Sequence, residues 1–144
     1  MNWKAAATIV FGLILAACAP EKEVPSSPPE PVEAVLDVPD GADVGKEVII
    51  STTVTQDGKP VDHADEVKYE IWKDGYKETS EMLDAVPKND GIYTVSKTFN
   101  EKAVYHIQVH VTARGMHTMP KSSLSVGNTA PSNLEEEEIH HESE

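Results

Sequence analysis

The sequence predicts an all-β fold, an antiparallel sandwich of short strands. Three observations carry this expectation. Apolar and polar residues alternate with period two in four separate runs. Turn signals separate those runs at Asp57-Gly58, Asp74-Gly75, Asn89-Asp90-Gly91 and Arg114-Gly115. After residue 17 no stretch keeps a helical period.

Each run justifies its own strand. "KEVIISTTVTQ" is β-branched and sets Val48, Ile50, Thr52 and Val54 on one face. "EVKYEIW" places Val67, Tyr69 and Ile71 opposite Lys68, Glu70 and Trp72. "GIYTVSKTF" separates Ile92 and Thr94 from Tyr93, Val95 and Lys97. In "AVYHIQVHVTA", Tyr105, Ile107, Val109 and Val111 face one way, and His106, Gln108, His110 and Thr112 the other. Such strands over about 95 residues argue for an immunoglobulin-like antiparallel β-sandwich.

The flanks read differently. Residues 1–17 carry one lysine and then the apolar run "AAATIVFGLILAA", which is short for a bilayer span and fits the core of a signal peptide. Cys18 follows Leu15-Ala16-Ala17, which resembles the lipobox of bacterial lipoproteins. That resemblance implies cleavage before Cys18, a diacylglycerol thioether on its sulfur, and acylation of the new amino terminus. Two or more acyl chains give lasting anchorage, so the expected location is the outer, extracytoplasmic face of the cell membrane.

Residues 18–32 are the expected linker, and 19–32 hold five of the ten prolines. The folded unit is expected over 33–127. Residues 128–144 form an acidic tail expected to be disordered, with Glu135–Glu138 beside His140 and His141.

Composition excludes several classes. The net charge is −13, which disfavours nucleic acid and other polyanions as partners. Cys18 is the only cysteine, so a lipidated chain has no free thiol, disulfide or thiolate metal ligand. The sequence contains no Gly-x-Ser-x-Gly elbow, phosphate loop or His-Glu-x-x-His helix, and no enzyme is expected.

Three blocks, "DGKPVDHADEVKYEIWKDG", "NDGIYTVSKTF" and "VYHIQVHVTARGMHTMPK", resemble the YtkA-like domain, also grouped with the FixH family. The shared pattern is a Gly-x-Pro-Val turn, here Gly58–Val61, a Gly-x-Tyr strand start, here Gly91–Tyr93, and a final hairpin with His, Met and Pro, here His110–Pro120. The resemblance spans about residues 35–127. It implies a small extracytoplasmic β-sandwich, and FixH itself implies a link to assembly of copper-containing respiratory oxidases.

The candidate chemistry lies in "ARGMHTMPK", residues 113–121, which holds Met116, His117 and Met119. In an immunoglobulin-like order this stretch and the loop carrying His63 share one end of the sandwich. Thioether and imidazole together suit Cu(I), so Met116, His117 and Met119 are candidate copper ligands, with His63 or His110 assisting. The competing reading is packing: methionine is a flexible gap-filler at the open end of a core. His106 and His110, four residues apart on a strand, lie about 13 Å apart and do not share an ion. The functional expectation is copper binding or delivery, against a scaffold or adhesion-like domain that binds a protein or envelope component.

Overall fold

The computed structural model describes residues 27–128. The signal segment, Cys18, most of the linker, and the tail with His140 and His141 lie outside the described residues.

Two sheets pack face to face. The first contains β1 (Val32–Asp37), β3 (Glu47–Gln56), β4 (Lys59–Pro60), β7 (Val86–Pro87) and β8 (Ile92–Thr98), in the order β1-β3-β8-β7, with β4 beside β3. The second contains β2 (Gly41–Ala42), β5 (Glu66–Lys73), β6 (Glu81–Asp84), β9 (Ala103–Ala113), β10 (Met116–Thr118) and β11 (Lys121–Val126). Its order is β2-β11-β9-β5-β6, with β10 on β9. Every pairing is antiparallel except β2 with β11. This is the immunoglobulin arrangement, ABED against GFC, with β6 added beyond C and β2 running alongside G. A 3-10 turn, Lys77–Thr79, joins β5 to β6.

The alternation predicted from sequence sets the core. Val48, Ile50, Thr52 and Val54 are buried from the first sheet, and Val67, Tyr69, Ile71, Ile107, Val109 and Val111 from the second. The folded part has no cysteine to join its sheets. Tyr69 supplies the cross-link instead: its hydroxyl lies 2.8 Å from Thr52 Oγ1 and donates to the Tyr93 carbonyl at 2.8 Å. Among the described residues, no buried side-chain nitrogen or oxygen lacks a partner.

The motif residues meet in space. Gly91 has φ +71°, and a Cβ there would sit 2.4 Å from the Val54 carbonyl oxygen. Its N–H donates to Asp62 Oδ1 at 2.7 Å. The Tyr93 hydroxyl donates to the Val61 carbonyl at 2.7 Å and accepts the Ala64 N–H at 3.0 Å. The Gly-x-Tyr start of β8 thus clamps the loop that follows the Gly-x-Pro-Val turn.

Several elements differ from the sequence expectation. The first strand begins at Val32, one residue before the expected start of the folded unit. Trp72 points outward from its own sheet yet is only 7 % exposed, covered by the His106 ring at 5.5 Å and by the Lys77 ammonium at 3.8 Å. Residues 113–121 are a tight hairpin, with two left-handed residues, Arg114 (φ 53°) and Gly115 (φ 75°), between the paired Ala113 and Met116. That is the primed two-residue turn, which matches the twist of the flanking strands.

Candidate metal centre

The hairpin decides which candidate ligands can meet. Met116 pairs with Ala113, His117 with Thr112, and Lys121 with Gln108, so one register runs from β10 into β11. Side chains alternate along this strand. Met116 faces inward and packs against the core, whereas His117 and Met119 fall on the outward face of the second sheet. Met116 and the other two candidates therefore stand on opposite faces of one sheet.

His110 joins the outward pair instead. It projects from β9 on the same face, and the continued register sets it opposite Met119. The His110 and His117 ring centroids are 6.0 Å apart, with planes inclined at 40°. A ring nitrogen binds a first-row metal at about 2 Å and the ring centre lies about 1 Å further out, so two rings sharing an ion have centroids up to about 6 Å apart. At 6.0 Å the pair stands at that upper limit, which is reached when both free nitrogens point at the shared ion.

Both rings are held from behind. His110 Nε2 lies 3.0 Å from Glu70 Oε2, and His117 Nδ1 lies 2.8 Å from Thr112 Oγ1. With these nitrogens donating, His110 Nδ1 and His117 Nε2 carry the lone pairs. A carboxylate on the far nitrogen, as Glu70 is for His110, is a usual support of a ligating histidine. Burial alone would raise the Glu70 carboxyl, but hydrogen bonds from His110 and Ser80 and the Lys77 charge outweigh it and hold its pKa below the ordinary value. Lys68 lies across from His110 on β5, with its ammonium drawn 3.1 Å from Glu66.

His63 takes another position. Arg114 donates to Gln56 Oε1 and the Asp65 N–H donates to the Thr112 carbonyl, so the two loops share one end of the sandwich as the topology predicts. His63, however, lines a depression with Asp62, Asp84 and Pro87 on the β6 side of β5. Its neighbours Asp62 and Ala64 are tied to Gly91 and Tyr93, at the start of β8 in the first sheet, whereas His117 stands on the outward face of the second. The structure does not bring His63 to His117. His106 is occupied elsewhere, with Nε2 2.8 Å from Asp74 Oδ1 and Nδ1 3.1 Å from Ser123 Oγ.

Sequence reasoning missed Glu70 and Thr112. Both sit at outward positions of runs whose alternation was legible. Only the β5–β9 and β9–β10 registers place them beside His110 and His117.

The YtkA-like family model matches residues 26–110, more than half of the sequence. The chain belongs to the YtkA-like family. No curated protein matches this YtkA-like chain. Among solved structures, an engineered protein shares 16 % identity over 65 % of this chain at a TM-score of 0.50. The YtkA-like chain spans only 20 % of that protein's length. A variant of the superoxide reductase (neelaredoxin) from Ignicoccus hospitalis shares 10 % identity, covering 68 % of this chain and 82 % of its own, at 0.48. The Lin-41 filamin domain shares 13 %, covering 69 % and 97 %, at 0.47. At these identities the likeness concerns the fold of the YtkA-like domain.

Proposed function

We propose that this YtkA-like protein is a lipid-anchored, extracytoplasmic copper-binding protein that holds or delivers Cu(I) for respiratory oxidase assembly. Its ligands are His110 Nδ1, His117 Nε2 and Met119 Sδ, and Cys18 carries the anchor. The observation that supports this reading is the 6.0 Å approach of His110 and His117, each with its far nitrogen supported. Two imidazoles and one thioether form a soft, low-coordinate donor set that favours Cu(I) over oxygen-seeking cations. Met119 is 47 % exposed, which leaves the site open to ligand exchange with a partner. The oxidase link rests on the FixH-family resemblance.

Binding rather than catalysis is the reading. It rests on the paired imidazoles of His110 and His117 beside Met119, a donor set suited to holding a soft metal ion.

The test is competition with a Cu(I) chelator on the full chain. His110→Ala and His117→Ala should each lower affinity at least tenfold and Met119→Leu should weaken it, while Met116→Leu leaves it unchanged. Affinity equal to wild type in the double histidine variant sinks the reading. The second reading, a non-metal scaffold or adhesion-like domain, draws on the outward face of the first sheet. Val35 and Ile49 are 66 % and 65 % exposed there, among Thr53, Thr94, Ser96 and Val86 and flanked on the same face by Glu33, Asp37 and Glu47.

A further inference from the structure

We propose that the cleft at the end of the sandwich opposite Arg114 binds a neutral saccharide. The cleft has a volume of about 460 Å³, between the ends of β5 and β8, the start of β9 and the 3-10 turn. That is the size of a small-molecule site, in which an apolar floor supplies area and a few polar groups fix orientation.

The floor is aromatic. Tyr76 lines the cleft from the turn side, 53 % exposed, with the Lys73 ammonium 5.4 Å from its ring centre, and the Tyr105 ring lies across from it, covering buried Phe99 at 4.5 Å between centroids. The exposed Tyr76 ring is the one that can accept the apolar C–H face of a sugar ring, since Phe99 is buried and the Tyr105 hydroxyl already donates to the Glu101 carbonyl at 3.3 Å.

The polar groups of the cleft select against charge. Lys73 pairs with Glu101 at 3.5 Å, and Lys97 pairs with Glu81. Each ammonium already has its carboxylate, so an ionic ligand must displace a partner to gain Coulomb energy. An anion is further opposed by the chain's net charge of −13. A sugar hydroxyl donates and accepts, so it can use the remaining lone pairs and N–H groups without breaking either pair. The Asn100 amide adds one more donor and acceptor to the same cleft.

The experiment is calorimetric titration of the full chain with cellobiose, N,N′-diacetylchitobiose and, as the anionic counterpart, cellobiouronic acid. At least one neutral disaccharide should bind with a dissociation constant on the order of 1 mM. Tyr76→Ala should weaken that binding about tenfold, the effect of removing one stacked ring. Glu101→Lys should weaken it as well, and His117→Ala should not. Tyr76 is exposed, so its loss should leave the melting temperature in place and the binding result readable. The proposal is overturned if neither neutral disaccharide binds, if Tyr76→Ala binds as the wild type does, or if the uronic acid is preferred. The cleft shares no residue with the copper ligands, so either proposal can fail alone.

Discussion

The Tyr69 hydroxyl and the Thr52 hydroxyl lie 2.8 Å apart in the middle of the sandwich, one from each sheet. Both residues are fully buried. The tyrosine O–H donates to the Tyr93 carbonyl, so the contact is a chain of two hydrogen bonds crossing the core. In a fold without a disulfide, this chain ties the sheets together and fixes their relative register.

Tyr69→Phe should destabilise the protein by about 1–3 kcal/mol at neutral pH, because Thr52 and the Tyr93 carbonyl both lose a buried partner. The loss should depend on pH. Burial pushes the Tyr69 pKa up to about 12, with the Thr52 hydrogen bond partly opposing it. The folded state therefore holds the phenol proton more tightly than the unfolded chain, where the ordinary value is about 10. That contribution is complete below pH 10 and is lost as pH rises from about 10 through 12. Denaturant melts of wild type and Tyr69→Phe should converge across this window. A constant gap would contradict the assignment.

Gly91→Ala should cost more than an ordinary surface substitution, at least about 2 kcal/mol. Its φ of +71° is strained for alanine, and the added methyl meets backbone, the Val54 carbonyl oxygen at 2.4 Å and the Val61 nitrogen at 3.0 Å. Neither atom can move without breaking the pairing of Val61 N–H with the Val54 carbonyl. A thermal melt within a degree or two of wild type would show that the β3–β8 junction yields more readily than its contacts imply.

Strand faces were legible because alternation fixes them within a single run: Val48 to Val54, Val67 to Ile71, and Ile107 to Val111 all point where period two puts them. Short edge elements such as Gly41–Ala42 and Val86–Pro87 were not, since two residues carry no period and are held only by neighbours. The same logic explains the candidate site. Without a register, the composition of residues 113–121 leaves Met116, His117 and Met119 free to converge. A two-residue turn at Arg114-Gly115 starts β10 at Met116 in a register that continues into β11, and alternation then sends Met116 to the core. The turn residues were visible, but their consequence for side-chain direction required the register.

That separation yields a direct test of Met116. Met116→Leu exchanges side chains of similar volume against a core and should cost less than about 1.5 kcal/mol. Met119→Leu, on the exposed face, should barely change stability. Copper affinity should follow the opposite order, unchanged in Met116→Leu and weakened in Met119→Leu. Equal copper losses in the two variants would mean that both sulfurs reach the same ion, against the strand alternation.

Glu70 provides the last test, because it touches no proposed ligand position except through His110. Its carboxylate holds His110 Nε2 at 3.0 Å while the Lys77 ammonium lies 3.5 Å from its other oxygen. Only 15 % of the Glu70 side chain is exposed, so this support is more rigid than a surface pair. Fixing the far nitrogen sets the ring's orientation and raises the basicity of the nitrogen left for the metal. Glu70→Ala should therefore lower Cu(I) affinity about 10- to 100-fold although the ligands remain. Glu70→Gln keeps an acceptor on the ring N–H and should recover part of that loss. If Glu70→Ala binds copper as the wild type does, His110 Nδ1 is not the donor, and the site must be rebuilt around His117 and Met119.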